Sequence, residues 1–536
     1  MSNEKKEKNQ VFDIEEFTKN YDNEEGEYFA GLGFNKNDAS SSNTKKNPLL
    51  LKRASSHVIH VKTNKLNMFS NNMTFNFLQI ISIILTNAIP SAFALFFIFI
   101  GETMNIIIIS TYKDGSMLNA LGIGTLYINS TGYLMGIGLL GGLDTLCSHS
   151  FGAGQFKLVG IYTNISRVVA ICFYILICLP LAFFSKSILL SIGQNEVTSQ
   201  YSSVYVKSML PAIFFALQFY SSQRYLQSVN ILMPGMIITL VTSVLHLFWS
   251  WFFIIYVDFE IYGAGLSLSI TQFLNLLCIS LYIYFYNPNP DTHLEFTCSG
   301  ISLKRILDFL KLGVPAAILF AANWLGVEVL TLLSSYLNYE SLVANVCLLN
   351  LTTLIFMIPM GISYALTLLI GQAIGASNVK TARYLSVMGV LIGLMFIGVT
   401  NFFIYNFRES IPYLYTDNPL IAAKIIDLIE IYLYFGLIDT LQIILNGIIK
   451  GLGKQKMTSI IVLIVLYPVN IPMAYMFGFV INYGLIGLWY SQLTAIILLA
   501  ISYMIILLCL DWDDISNRSV INMQLIADQI EKYEKK

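Results

Sequence analysis

The stretch LDTLCSHSFGAGQFK, Leu143 to Lys157, returns 223 residues later as LTLLIGQAIGASNVK, Leu366 to Lys380. Identities fall at Leu143/Leu366, Leu146/Leu369, Gly152/Gly375, Ala153/Ala376 and Lys157/Lys380. Farther on, Gly265-Leu266 corresponds to Gly487-Leu488 at an offset of 222, after a Tyr-Gly pair in each case, Tyr262-Gly263 and Tyr483-Gly484. Ordered matches at nearly one offset predict two related halves, with the polar segment Asn287 to Ser302 between them.

What each half is made of follows from composition. Of the 536 residues 56% are hydrophobic and 12% charged, and the mean hydropathy is +0.66, where soluble chains carry about 25% charge. The charges crowd at the ends, leaving 32 for the 434 residues from 77 to 510. This is the composition of a polytopic membrane protein. Apolar runs begin near Asn76, Met117, Leu158, Tyr205, Pro234, Gly265, Ile306, Leu342, Tyr384, Ile425, Met457 and Leu485. At about 20 residues per span, twelve helices need roughly 240 residues, which the region holds with ordinary loops. The expected fold is all-α and integral to the membrane, with twelve transmembrane helices in two six-helix lobes.

The expected organisation is a disordered cytosolic tail over 1–70, an N-lobe of helices 1–6 over 71–290, a C-lobe of helices 7–12 over 291–510, and a cytosolic tail over 511–536. With the N-terminus inside, eleven Lys and Arg residues, among them Lys157, Arg224, Lys380, Arg383 and Lys450, fall on the cytosolic side and five, Lys113, Lys186, Lys207, Arg408 and Lys424, on the other. That asymmetry places both termini in the cytosol. The polar start of the chain reads as no cleavable signal peptide, so the first span drives insertion. Six is an even number, so the halves share one orientation, an arrangement that places a substrate site between them.

A net charge of −1 argues against a nucleic-acid partner. The seven cysteines are scattered without C-x-x-C pairs or metal-ligand spacing and read as small buried residues, so no metal or cofactor is expected. An ionisable side chain within hydrocarbon is a functional candidate by default. Glu328, in AANWLGVEVLTLL, and Asp439, in YFGLIDTLQIIL, are the two acids deep in spans. A desolvated carboxylate resists its own charge, so it can exchange a proton and offer a cation a competing partner. Asn323 and Trp324 precede Glu328, with Trp324 on its face at four-residue spacing, and an indole can stack on an aromatic or cationic ligand. Asn129, Ser130 and Thr131 form a polar patch facing either a cavity or a neighbouring helix. His246 stands alone in the fifth span, either as an interhelical hydrogen bonder or as the centre of an intramembrane enzyme. Pro359 with Gly361, and Pro468 with Pro472, predict kinks.

Taken together, residues 75 to 510 resemble the multidrug and toxic compound extrusion (MATE) transporters, especially their eukaryotic branch. Leu143 to Gln155 is similar to the family's ALDTLCGQAFGA signature. Gly313-Val-Pro-Ala316 with Asn323-Trp-Leu-Gly-Val-Glu328 resembles its G-x-P stretch and E-W-W-x-x-E helix. Pro359 to Ala365, Gly371 to Ala376, Asp439 with Asn446 to Gln455, and Gly487-Leu-Trp489 follow in the family order. The resemblance implies two lobes in a V shape and rocker-switch export of organic cations or other amphiphiles against protons or sodium. It carries Glu328 and Asp439 over as proton-coupling acids and matches Tyr467 to a family tyrosine of the eleventh helix at the cavity; with Asn323, Trp324 and Asn129, read from their own positions, Tyr467 completes the expected substrate-binding residues. Departures stand at Asn323 for the first Glu of the seventh-helix motif, Leu325 for its second Trp, Leu369 for the Arg before V-G-N, and Lys450 for the Arg of R-G-x-G.

The expected function is therefore a secondary antiporter, monomeric in the bilayer, exporting a cationic or amphiphilic small molecule across the plasma or vacuolar membrane. No G-x-x-x-x-G-K-[ST] loop is present, so a proton or sodium gradient supplies the energy. The alternative is an exporter of an organic anion or metabolite, which Lys or Arg facing the cavity would favour; none stands deep in a span. An enzyme using His246 ranks below both.

Overall fold

The structure, a computed structural model, describes residues 77–112, 115–286, 292 and 301–534. The expected N-terminal tail and most of the Asn287 to Ser302 segment lie outside these. Most of the described residues are helical and none forms a strand; thirteen long runs carry the fold. They are α1 (Phe77–Tyr112), α2 (115–152), α3 (Phe156–Phe183), α4 (196–228), α5 (Met233–Tyr256), α6 (Glu260–Tyr286), α7 (Leu303–Ser335), α8 (Tyr339–Gly375), α9 (Val379–Phe407), α10 (Pro419–Gly451), α11 (Gln455–Val480), α12 (Gly484–Cys509) and α13 (Trp512–Glu534). Nine are long and apolar enough to cross a membrane as single helices, and α4, bent by 42° at Met209, makes a tenth. The other two spans are α2, broken at Leu140, and α10, which carries five charges over 33 residues.

Local chemistry sets these boundaries. Asparagine side chains cap several helix starts, with Asn195, Asn338, Asn378 and Asn418 accepting the amides of Thr198, Ser341, Thr381 and Leu420. Proline cannot donate to the helix ladder, and the chain widens into π-type turns at Tyr174–Cys178, beside Pro180, and at Val465–Val469, around Pro468.

The repeat is visible in the backbone. Left-handed residues fall at Gly154 and Ser377, and at Asn230 and Gly453, both pairs 223 apart; Asp258 and Asn482, and Glu260 and Gly484, are each 224 apart. The same turns therefore close the same helix pairs in both halves. One apolar core, with Leu143, Tyr162 and Phe219, fills the N-lobe. Two others, around Leu366, Ile444 and Leu499 and around Leu428, Tyr432 and Trp489, fill the C-lobe.

The lobes meet most closely where α2 and α8 cross near their C-terminal ends. A Cβ on Gly152 would run into the backbone of Gln372, and one on Gly375 into the backbone of His149. His149 and Gln372 are themselves 223 apart, so the contact is reciprocal, as across a two-fold axis. Each also donates across the seam: His149 Nε2 lies 2.8 Å from the Gly451 carbonyl, and Gln372 Nε2 donates to the Ser228 carbonyl at 2.9 Å. Ser228 and Gly451 are again 223 apart and close α4 and α10. We call this the crossing end of the bundle. The remaining helix, α13, lies across it.

Alanine at Gly152 or Gly375 forces the crossing apart, and overpacking of this kind costs about 1–3 kcal/mol. Both substitutions should lower the melting temperature of the detergent-solubilised protein by similar amounts. Gly398→Ala, whose Cβ meets nothing within 4 Å, should leave it unchanged or slightly raised.

Candidate functional site

Immediately above the crossing lies a cavity of about 210 Å³, walled mainly by α7, α8, α10 and α12 of the C-lobe. The N-lobe contributes Gly138, Gly141 and Arg224. α10 supplies a continuous stripe, with Tyr432, Phe435, Asp439, Gln442, Asn446 and Lys450 all on the wall. Eleven residues separate Asp439 from Lys450, close to three whole turns, so the two share a face about 16 Å apart.

Among the described residues, three charged side chains line the cavity: Asp439, Arg224 and Lys450. The two cations are occupied. Arg224 donates to Asp144 Oδ2 at 2.7 Å, and Lys450 donates to the same oxygen at 2.5 Å. Asp144 belongs to α2 and Lys450 to α10, so this buried cluster ties one lobe to the other. Thr145 reinforces it by donating to the Lys450 carbonyl at 3.0 Å. Asp439 is different: it is half-buried and its carboxylate has no hydrogen-bond or ion-pair partner among the described residues.

The rest of the wall is aromatic and amide. Trp324 meets Phe356 edge to face at 6.4 Å. Trp489 donates to Asn345 Oδ1 at 3.0 Å, which fixes both side chains on the wall, and Gln492 accepts from Asn470 at 2.8 Å. Asn323, which lines the cavity, donates back to the Leu319 carbonyl at 2.7 Å. Such a site, apolar walls with a few placed polar groups, suits a small amphiphile.

The structure thus gathers Asp439, Asn323 and Trp324 in one cavity, and leaves three other expected residues off its wall. The α7 lining runs through Ala316, Phe320, Asn323, Val327 and Leu330, with Trp324 at its edge. Glu328 lies about 40° farther round the helix from Trp324, and it stands exposed on the flank of α7. Tyr467 turns behind the wall, where its hydroxyl donates to the Ala322 carbonyl at 3.4 Å, and Leu466 lines the cavity instead. Asn129 opens a π-type turn of α2, with the hydroxyls of Ser130 and Thr131 bonded to carbonyls of their own helix. His246 is buried in the N-lobe between Thr271 at 2.8 Å and Ser250 at 3.0 Å, away from the cavity. No Lys or Arg was expected deep in a span, and two cations nevertheless face the cavity, Arg224 and Lys450. Both sit near helix ends in the sequence, and the closure of the lobes brings them to the cavity floor. No group of three or more His, Cys, Asp or Glu side chains converges as metal ligands among the described residues.

Residues 90–252 and 315–476 each match the family described as MatE, one match in each half and together more than half of the chain. The chain is 26% identical to multidrug and toxin extrusion protein 1 of Danio rerio, over 81% of this chain and 75% of that protein. It is 26% identical to protein DETOXIFICATION 37 of Arabidopsis thaliana, over 78% and 84%. Its fold is similar to the crystal structure of the eukaryotic MATE transporter AtDTX14, with a TM-score of 0.76 and 20% identity over 83% of this chain and 99% of that one. A MOP superfamily transporter from Pyrococcus furiosus superposes with a TM-score of 0.71 at 16% identity, over 86% and 100%.

The ion cluster predicts an asymmetry between its members. Asp144→Asn leaves Arg224 and Lys450 facing each other without a counter-charge and should destabilise the protein by about 3–5 kcal/mol. Lys450→Met leaves the Arg224–Asp144 pair intact and should cost under about 2 kcal/mol. Thermal melts of both variants in one detergent check the order.

Proposed function

The chain belongs to the MatE family, a family of transporters and not of enzymes, and from that premise we propose that it is a secondary antiporter expelling organic cations in exchange for protons. The observation that carries this reading is Asp439: among the described residues it is the one acid on the cavity wall, and it has no protein partner. A carboxylate so placed can hold a proton or a cationic cargo, but not both at full strength, and that competition couples the two flows. Trp324, Phe356 and Tyr432 offer the aromatic faces that an amphiphilic cation needs.

In the proposed cycle the lobes alternate between opening at one end and at the other. At the crossing end the cargo meets Asp439 and displaces its proton. At the far end a proton returns and the cargo leaves. Opening at the crossing end requires Lys450 to leave Asp144 and the His149 and Gln372 bonds to part. The charge asymmetry of the loops supports a crossing end and both termini in the cytosol, with the protein a monomer in the plasma or vacuolar membrane. Sodium as the coupling ion is the variant of this reading that the same experiment separates.

A second reading has its own observation. Arg224 and Lys450 together outnumber Asp144 by one charge, and both face the cavity, which suits an organic anion.

Purified protein in liposomes loaded with a fluorescent organic cation, and in parallel with a fluorescent organic anion, should be given a pH gradient or a sodium gradient. The cation should leave under the pH gradient, and Asp439→Asn should abolish that efflux. Efflux of the anion alone, insensitive to Asp439→Asn, would replace the cation reading with the anion one. Glu328→Gln, altering an acid off the wall, should reduce transport less than Asp439→Asn does; an equal loss would return Glu328 to the site.

A further inference from the structure

The segment after α12 has no place in the transport cycle just described, yet it packs against both lobes at the crossing end. α13 carries one apolar stripe, Trp512, Ile515, Met523 and Ile530, with Ile526 and Ala527 beside it, at the spacing of a single helix face. The two ends of that stripe enter different lobes. Trp512 and Ile515 belong to the C-lobe core, and Met523 and Ile530 to the N-lobe core.

The polar contacts divide the same way. Toward its start, α13 is fastened to the C-lobe. Ser516 donates to the Ile374 carbonyl of α8 at 2.8 Å, Asp513 pairs with Arg383 of α9 at 3.2 Å, and the Arg383 guanidinium lies 6.0 Å from the centre of the Trp512 ring. Past its middle, α13 grips α2 of the N-lobe. The Ser519 hydroxyl lies 2.8 Å from His149 Nδ1, and Ser150 donates to the Met523 sulfur at 3.2 Å. His149 is the residue whose other ring nitrogen reaches the Gly451 carbonyl across the seam. One imidazole therefore joins α2, α10 and α13.

We propose that α13 is a strap that holds the lobes together at the crossing end and must release α2 before they can part there. The argument is one of differential contact. α13 is continuous with α12 and travels with the C-lobe, so its grip on His149, Ser150 and the N-lobe core exists only while that end is closed. A contact made in one conformer and lost in the other shifts the population toward the first. Parting the lobes also exposes the Met523 and Ile530 end of the stripe to water, which opposes opening in the same direction. The inference rests on the reading that the lobes part during transport, and it is independent of the cargo and the coupling ion.

The test reads the seam directly. Thr145 is 2% exposed and bonds across the lobes to Lys450, so the thiol of Thr145→Cys, in full-length protein with its native cysteines replaced, reacts with a maleimide only when the crossing end opens. Met523→Asp removes the N-lobe grip while Trp512 and Ile515 still anchor the helix, and should raise the labelling rate severalfold; Met523→Leu should not. Ser519→Ala deletes only the hydroxyl facing His149, leaves the apolar stripe intact and should give a smaller rise. Unchanged labelling in Ser519→Ala and in a Met523→Asp protein that keeps its melting transition overturns the strap. Raised labelling supports it even if every transport assay with the chosen cargo fails, so its failure and that of the cation reading stay distinguishable.

Discussion

The backbone crossing of α2 and α8 is the constraint on which the rest depends. Two glycines, Gly152 and Gly375, let the helices approach until each lies against the backbone of the other. No side chain fits there, so the crossing is where the lobes come closest and it sets how they sit while that end is closed. Its distance determines whether Lys450 can reach Asp144, whether His149 and Gln372 can reach the carbonyls that end α10 and α4, and whether the cavity has a floor. Because the contact is reciprocal, the duplicated sequence stabilises it twice over with the same pieces.

The duplicated frame is symmetric, and its chemistry is not. The residue equivalent to Asp144 in the second half is Thr367; the equivalents of Arg224 and Lys450 are Gly447 and Gln227. Charge stands at one of two matching places, so the ion cluster is a single latch beside a pseudo-two-fold axis. The cavity is likewise lopsided, with nearly all of its wall in the C-lobe. Duplication supplied two equivalent bundles and a reciprocal contact between them; substitution within one bundle supplied the unpaired acid. α13 breaks the symmetry a third time, gripping His149 and leaving its equivalent, Gln372, to pair with Asn230 of the N-lobe instead.

Much of this was legible in the sequence, for physical reasons that also mark where reading had to stop. Hydrophobic length in a bilayer is a strong signal, so the twelve runs and their two halves were readable from composition and one repeated motif. Asp439 was readable because a lone acid in an apolar run has few explanations. Face assignment was weaker. Four-residue spacing joins Trp324 to Glu328, but the lining of α7 is an arc whose edge falls between them, and no local pattern says where that edge lies. Asn129 sits on a π-type turn, which shifts the helical period by a residue, and Tyr467 sits on another. The Asp144–Lys450 contact joins residues 306 apart, a pairing that depends on the crossing and not on either sequence neighbourhood. The terminal helix was unreadable as structure because its composition is polar and its apolar stripe has meaning only against the two lobes it covers.

A seam that must both seal and open needs contacts that are individually cheap to break. The carbonyls of Ser228 and Gly451 close their helices and have no backbone donor of their own, so water can replace Gln372 and His149 when the lobes separate. Each such exchange costs about 0.5–1.5 kcal/mol, because protein and water offer bonds of similar strength. The Asp144 cluster is the exception, since its charges are buried and their separation strands Lys450 unless water enters with the opening. That places the energetic weight of closure on a single ion pair flanked by replaceable hydrogen bonds. In the proposed cycle a cation at Asp439, about 16 Å up the same face of α10 from Lys450, would act on the helix that carries the latch. In that reading, cargo at Asp439 and the state of the seam are linked through one rigid element, with no relay of side chains required between them.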